Sequence, residues 1–204
     1  MNTEIFPAND SRALPYALKI LREGGLVAFP TDTVYGLGSM AFNQAAIESI
    51  YLAKDRLLEK AIPILIADED ELESITEMVP PLARHLASRF WPGPMTLVLL
   101  KRKNLPAAIS ATSTVGVRVP NQGFARSLLR SAGPMAVTSA NLSGRESPCM
   151  AEEVLHQLNG RIPLILDGGE TQGGIPSTVV DVTGLEPIII REGPITLEQI
   201  KSSL

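Results

Sequence analysis

The stretch LVAFPTDTVYGLG, residues 26–38, places an apolar run directly before a polar segment that contains glycine. The run Leu26–Phe29 predicts a buried β-strand. Residues 30–38 break every regular pattern, so we expect a loop at the end of that strand. A second junction of this kind follows the apolar run 135–138, where residues 139–148 (SANLSGRESP) are mostly small and polar. Because open α/β sheets bind ligands at strand ends, these two loops are the first candidates for a functional site.

Helix and strand patterns alternate on both sides of this stretch. Asn9 and Asp10 are expected to cap a first helix, and Asn43 is expected to cap a second. Residues 68–78 predict an acidic helix, and residues 178–191 predict two strands joined as a hairpin. Together these patterns predict an α/β domain in which the hairpin makes the sheet mixed.

Composition limits the class of protein. The chain has 204 residues, of which 45% are apolar and 20% charged, which is enough for the core of one domain and excludes a disordered chain. A net charge of −4 argues against a protein that binds duplex nucleic acid with its whole surface. A local basic pocket is still compatible with this net charge. Cys149 is the single cysteine, so no intrachain disulfide is expected. No apolar run approaches the roughly 18 residues of a membrane span, and the expected compartment is the cytoplasm.

Several standard motifs are absent from the sequence. It contains no G-x-x-x-x-G-K-[ST] phosphate loop, no G-x-G-x-x-G dinucleotide turn, no G-x-S-x-G nucleophile elbow and no H-E-x-x-H zinc motif. His85 and His156 have no histidine or cysteine at ligand spacing, so we interpret them as ordinary surface or boundary residues. The common nucleotide-binding and hydrolase scaffolds are therefore not expected.

Several polar and cationic side chains lie where a strand or helix is predicted to end. Lys54 and Arg56 would share one face if the chain there were extended; otherwise they belong to a solvated helix end. Arg118 alternates with valines, so it either faces solvent or enters a cleft where its guanidinium can bind a carboxylate or phosphate. Ser177 and Arg191 also lie at strand ends.

Strings spread over about 170 residues, in this order and spacing, resemble the YrdC-like family of L-threonylcarbamoyl-AMP synthases. They are PTDTVYGLG (30–38), KDR (54–56), WPGPMTLVL (91–99), VGVRVP (115–120), TSANLSGRESP (138–148), PSTVVD (176–181) and IIREGPIT (189–196). The resemblance implies a twisted mixed parallel and antiparallel sheet, flanked by helices, around a concave basic cavity.

The resemblance also implies an activity. Members condense L-threonine, bicarbonate or CO2, and ATP into L-threonylcarbamoyl-AMP and release pyrophosphate. The product feeds the threonylcarbamoyl modification of adenosine in tRNA, so downstream tRNA threonylcarbamoyl-transfer proteins are the expected partners. Mg2+ is expected to come with the ATP rather than from a dedicated protein metal site.

Site roles follow from the resemblance at matching positions. A catalytic K-x-R pair and S-x-N pair are implied at Lys54, Arg56, Ser139 and Asn141. The implied L-threonine site comprises Thr33, Arg118 and Ser177. The implied ATP site comprises Lys54, Arg56, Lys60, Thr114, Ser139, Asn141, Ser147 and Arg191.

The sequence departs from the family pattern after Arg56. Many members continue with proline and then Asn-Pro-Leu, whereas here Leu57 follows and Lys60 replaces the asparagine. Leu65 falls where some members carry a histidine near threonine, so these departures concern the selectivity for the amino acid. Longer members append a linker and a C-terminal domain, and we expect residues 1–204 to form a single YrdC-like catalytic domain.

Three other interpretations stay open from the sequence. One is a YrdC-like paralogue that binds nucleotide or RNA without making threonylcarbamoyl-AMP, because a fold does not determine a function. Another is an RNA-binding module that contacts tRNA directly, against which the negative net charge and the 4% aromatic content argue. The third, a carbamoyl-transfer domain from hydrogenase maturation, normally belongs to a much larger chain.

Overall fold

A computed structural model describes residues 2–204 as one mixed sheet with helices on both faces. The strands are β1 (Glu4–Pro7), β2 (Val27–Phe29), β3 (Gly36–Met40), β4 (Ile64–Leu65), β5 (Met95–Leu100), β6 (Thr114–Arg118), β7 (Met135–Ser139), β8 (Leu164–Asp167), β9 (Thr178–Asp181) and β10 (Ile188–Arg191). The α-helices are α1 (Ala13–Arg22), α2 (Gln44–Lys54), α3 (Leu72–Ile75), α4 (Pro81–Phe90), α5 (Gly123–Ala132), α6 (Ala151–Leu158) and α7 (Leu197–Ser203). Short 3-10 turns cover Glu69–Glu71 and Ala107–Ile109.

The ten strands follow the order β1-β8-β2-β3-β7-β4-β6-β5-β9-β10. The sheet contains both parallel and antiparallel pairs: β4 runs parallel to β6 and antiparallel to β7, and β9 and β10 form the expected antiparallel hairpin. The mixed α/β sheet is therefore confirmed. None of the helices within residues 2–204 is long and apolar enough to span a bilayer.

Successive side chains of each strand enter the two layers of core between sheet and helices. Val27 and Phe29 pack with α1 and α5 on one face, whereas Ala28 packs with α2 and α6 on the other. This alternation is the period of two that a strand requires, and it makes the sheet the middle of three layers.

The end of the quoted stretch differs from the prediction, whereas residues 30–35 form the expected loop. Residues 36–38 do not continue the loop but begin β3, which pairs with β7 in the register Gly36 to Ser139. The two glycines are required by packing: a Cβ at Gly36 would lie 2.7 Å from Val137 Cγ1, and one at Gly38 would lie 2.9 Å from Met135 Cε. Glycine here permits the close approach of neighbouring side chains rather than a turn.

Helix beginnings were predicted with mixed success. Asn43 does cap α2, because its Oδ1 accepts from the Ala46 N–H at 3.1 Å. The cap predicted at Asn9 and Asp10 is wrong: α1 begins after Arg12, and the Asp10 carboxylate instead accepts from the Arg12 backbone and guanidinium.

Two further elements differ from expectation. The acidic helix predicted over 68–78 is shorter, since α3 ends at Ile75 and Thr76 turns extended to form a β-bridge with Lys101. The strand β1 was not predicted. It pairs in parallel with β8 along an outer edge of the sheet, where long-range pairing rather than an alternating local pattern determines it.

Candidate active site

One face of the sheet carries a cavity of about 420 Å³, a volume typical of small-molecule sites. Thr31 and residues 33–36 form one wall, β5 and β6 contribute Thr96, Val98, Thr114 and Gly116, and the end of β7 contributes residues 137–139. The opposite wall comes from Pro176, Ser177, Val179, Ile190 and Arg191. Its lining contains the guanidinium groups of Arg56 and Arg191 and no carboxylate, so the cavity favours anions.

Residues predicted from distant parts of the sequence meet in this cavity. Six of the predicted site residues line it, namely Thr33, Arg56, Thr114, Ser139, Ser177 and Arg191. The Arg191 guanidinium donates to the Ser177 carbonyl oxygen (2.6 Å) and hydroxyl (3.2 Å), which joins β10 to the start of β9. Burial lowers the pKa of the Arg191 guanidinium from its ordinary value.

Arg118 lies behind the Thr33 wall rather than on the cavity lining. Its guanidinium donates to Asp32 Oδ1 at 2.5 Å, to Thr33 Oγ1 at 3.0 Å and to the Gly93 carbonyl at 3.0 Å. Burial lowers the pKa of Arg118, and the charge of Asp32 opposes that shift. Of the two orientations left open by the sequence, the side chain therefore takes the inward one, with its donors already bound by protein atoms.

Lys54 is placed differently from the extended geometry considered for residues 54–56. It is the last residue of α2, is 1% exposed, and is followed by Asp55 in the left-handed region (φ 50°). Its Nζ donates to the carbonyl oxygens of Ser139 and Asn141. Burial, and secondarily the charge of Arg56, lowers the pKa of Lys54 to about 7. Lys54 therefore holds the backbone of the 139–141 segment and does not share a cavity face with Arg56.

Three other predicted residues also lie off the cavity lining. Asn141 is buried; its Nδ2 donates to the carbonyls of Leu142 and Arg145, and its Oδ1 has no partner among the described residues. The Lys60 side chain is exposed, while its carbonyl accepts from Arg56 Nε at 3.2 Å. Ser147 lines a separate cavity beside α6.

No group of three or more His, Cys, Asp or Glu side chains that could hold a metal ion is found within residues 2–204. The geometry as a whole offers positive charge and hydroxyl groups in a partly apolar chamber.

Comparison with known proteins gives the evolutionary context of this cavity. The Sua5/YciO/YrdC family, described as "Telomere recombination", matches residues 19–193. The chain belongs to this family.

Relatives in the Sua5/YciO/YrdC family extend the comparison. The chain is 44% identical over 187 residues to the threonylcarbamoyl-AMP synthase of Pyrococcus abyssi, which covers 91% of this chain and 55% of the relative. It is 43% identical over 203 residues to the Bacillus subtilis protein of the same name, covering 98% of this chain and 58% of the relative. The chain thus spans little more than half the length of these curated relatives.

A solved structure supports the same membership. The structure of Pyrococcus abyssi Sua5 complexed with L-threonine superposes on this chain with a TM-score of 0.96 and 40% identity, covering 99% of this chain and 61% of that one. The twisted sheet with flanking helices that the resemblance implied is therefore the family fold.

Sequence reasoning missed two residues that support this Sua5/YciO/YrdC site. Asp32 is the counterion of Arg118, and Tyr35 is fully buried with its hydroxyl donating to the Gly169 carbonyl at 2.8 Å. Burial raises the pKa of Tyr35 to about 12. Both residues belong to the quoted PTDTVYGLG string, so the string identified the right segment of the chain. The partners of Asp32 and Tyr35 lie far along the chain, and no local spacing in the sequence identifies those partners.

Proposed function

We propose that this protein makes L-threonylcarbamoyl-AMP from L-threonine, bicarbonate or CO2, and ATP, releasing pyrophosphate. The observation that carries the proposal is the carboxylate-free cavity in which two guanidiniums and several hydroxyls meet, in a family whose curated relatives bear the name of this synthase. We extend the proposal to the cytoplasm as the compartment and to tRNA threonylcarbamoyl-transfer proteins as recipients of the adenylate.

The chemistry requires no nucleophile from the protein. The uncharged amine of threonine attacks CO2, forms the N–C bond of a carbamate and loses one proton. A carbamate oxygen then attacks the α-phosphorus of ATP, and the bond from that phosphorus to the bridging oxygen breaks as pyrophosphate leaves. Catalysis is thus a matter of bringing two anions together and stabilising charge on the triphosphate. A cavity lined by arginine and hydroxyl groups provides these functions.

Residue roles follow from the positions along the cavity. Arg56, Arg191, Ser139 and Thr114 would bind ATP, while Lys54 and Asn141 would support the 139–141 backbone from behind. Thr33 and Ser177 would contact the amino acid, and Arg118 would add positive charge behind Thr33. Lys60 and Ser147 would approach ATP only from outside the lining. Mg2+ would arrive bound to the phosphates of ATP and neutralise part of their charge.

The test is a reaction in which one component is omitted at a time. Purified protein is incubated with ATP, Mg2+, L-threonine and bicarbonate, and threonylcarbamoyl-AMP is measured by mass spectrometry alongside pyrophosphate. We expect product only in the complete mixture. ATP binding without any amino-acid adduct would overturn the proposal and favour a nucleotide-binding paralogue.

Variants connect that activity to the cavity. We expect Arg56→Ala and Ser139→Ala to lose more than about tenfold in turnover while remaining folded, because each removes a donor from the region proposed for the triphosphate. Arg22→Ala is the matched control, since Arg22 is exposed on α1 outside the cavity lining. Unchanged turnover in Arg56→Ala or Ser139→Ala would remove that residue from the site.

A further inference from the structure

The segment 30–33 borders a further cavity, with a volume of about 590 Å³. Thr31 and Thr33 line both this cavity and the proposed active site, whereas Asp32 lines only this one. We call it the loop cavity, because its other walls are the loop 168–175 and the start of α5 at residues 121–123, together with Pro94 and Pro194. Its volume is typical of small-molecule sites.

Close backbone packing builds the loop cavity. The Gly174 N–H donates to the Thr33 carbonyl at 2.9 Å, and the Thr171 N–H donates to the Cys149 carbonyl at 2.9 Å. A Cβ at Gly173 would lie 2.6 Å from the Asp32 carbonyl oxygen and 2.7 Å from Thr33 Cα, so the loop approaches this closely only because residue 173 is glycine. The loop is thus held directly against the segment that carries Asp32.

The charged side chains of the loop cavity are carboxylates. Asp32 and Glu170 line it, and no Lys, Arg or His belongs to the lining that residues 2–204 provide. Asp32 Oδ1 accepts from Arg118, while no donor within the described chain reaches Asp32 Oδ2. Glu170 is exposed and takes part in none of the ion pairs found among these residues. The loop cavity therefore favours cations, unlike the proposed active site.

The start of α5 acts against this preference but does not reverse it. The positive end of a helix dipole, equivalent to about half a unit charge, attracts anions. Gln122 Oε1 accepts from the Ala125 N–H at 2.6 Å and so satisfies one of the free donors of this helix end. Arg118 offsets the charge of Asp32, and the full negative charge of Glu170 exceeds the partial charge of the helix end.

A buried hydroxyl and an apolar surface define the ligand further. Thr171 is 7% exposed, and its Oγ1 has no hydrogen-bond partner among the described residues. A buried hydroxyl without a partner costs free energy until one is supplied. An ammonium group has three donors and no acceptor, which suits carboxylate and hydroxyl oxygens. Methylene groups suit the apolar part of the lining, which consists of Pro30, Pro94, Ile175 and Pro194.

We propose that the loop cavity is a binding site for a small aliphatic diamine. One ammonium group donates to Asp32 Oδ2 and to the Thr171 hydroxyl, and the other pairs with Glu170. The methylene chain between them lies on the prolines. Two carboxylates favour a ligand with two positive charges over one with a single charge. This site lies outside the lining of the proposed active site, and the inference does not depend on the proposed function.

The experiment compares ligands of equal chain length and different charge. 1,4-Diaminobutane, butylamine and 1,4-butanediol are titrated into the full chain by calorimetry at constant ionic strength, because salt screens exposed charges. We expect the diamine to bind about fivefold more tightly than butylamine, and the uncharged diol not to bind. Glu170→Gln should make the diamine bind no better than butylamine. Glu23→Gln is the matched control, since Glu23 is exposed at the end of α1 outside the loop cavity.

A second variant tests the Asp32 end without breaking its ion pair with Arg118. Thr171→Val removes a hydroxyl that has no partner in the described chain, so we expect it to fold. It should weaken both amines about fivefold through the loss of one hydrogen bond.

Backbone amide shifts in NMR spectra locate the amine. Addition of 1,4-diaminobutane should shift the amides of residues 168–173 and 121–123. Shifts confined to residues 114–116 and 139 would place the amine in the proposed active site and overturn the inference. Binding of the diol as tight as that of the diamine would also overturn it, as would equal effects of Glu170→Gln and Glu23→Gln.

Discussion

Replacing Asp32 by asparagine should show how much the ion pair behind the cavity wall contributes to the free energy of unfolding. Asp32 Oδ1 lies 2.5 Å from Arg118 Nη2, and the two side chains are only 13% and 7% exposed. The substitution keeps size and an accepting oxygen but leaves the buried guanidinium without its counterion. Removing one partner of a buried pair costs about 3 to 5 kcal/mol. Because Arg118 keeps its bonds to Gly93 and Thr33, we expect the lower end, about 3 kcal/mol.

The assay is equilibrium unfolding in urea, with the free energy of unfolding obtained by linear extrapolation. Asp10→Asn is the matched control, because Asp10 and Arg12 form an exposed pair at 2.7 Å, with the Arg12 side chain 76% exposed. Solvent screens the charges of an exposed pair, so the control substitution is expected to change the free energy of unfolding much less than Asp32→Asn. If Asp32→Asn costs no more than the control, the argument that the Asp32–Arg118 pair stabilises this wall is refuted.

Two further predictions concern the buried lysine and the cavity floor. The pKa of Lys54 falls from 10.5 to about 7 on folding, so between these values the unfolded state binds the extra proton. The free energy of unfolding of the wild type, minus that of Lys54→Met, should therefore rise with pH above about 7, by at most about 1.4 kcal/mol per pH unit. Urea unfolding at successive pH values measures this difference, and a difference that does not change with pH would contradict the prediction. Gly116→Val should abolish ATP binding in calorimetry, since a Cβ there would lie 3.0 Å from Thr96 Cγ2 and 3.4 Å from Pro63 Cβ on the cavity floor. Retained affinity would show that the ligand lies elsewhere.

Much of the fold is predictable because local signals and global packing agree. The apolar run 135–138 becomes β7, and Asn43 caps its helix as its side chain predicts. A local sequence pattern does not predict whether a glycine forms a turn or lies in a strand that is closely covered by neighbouring side chains. Gly36 and Gly38 resemble turn residues, yet they occupy a strand because side chains of β7 cover them. That distinction depends on residues about 100 positions away and is not encoded in a window of sequence.

Six of the predicted residues line one cavity, but the sequence did not predict how their side chains and those of their neighbours are oriented. The K-x-R and S-x-N strings place Lys54 and Ser139 in one region, and the structure brings them into contact. The strings do not indicate that the Lys54 side chain contacts the backbone of the 139–141 segment and does not line the cavity. The Lys54 Nζ donates to the carbonyl groups of Ser139 and Asn141 and so stabilises the backbone there. Ser139 itself lines the cavity. A side chain that supports a site and one that lines it look alike in sequence.

The charge of the cavity shows why composition alone is a poor guide to ligands. The chain carries a net charge of −4, which by itself suggests repulsion of anions. The lining nevertheless holds Arg56 and Arg191, and the pKa of the nearby Arg118 is lowered chiefly by burial and further by the charge of Arg191. Asp32 is the counterion of Arg118, whereas the lining residues around Arg56 and Arg191 include no Asp or Glu. A bound anion would relieve the repulsion between these arginines, and the resulting attraction acts at short range, where screening by salt is weakest.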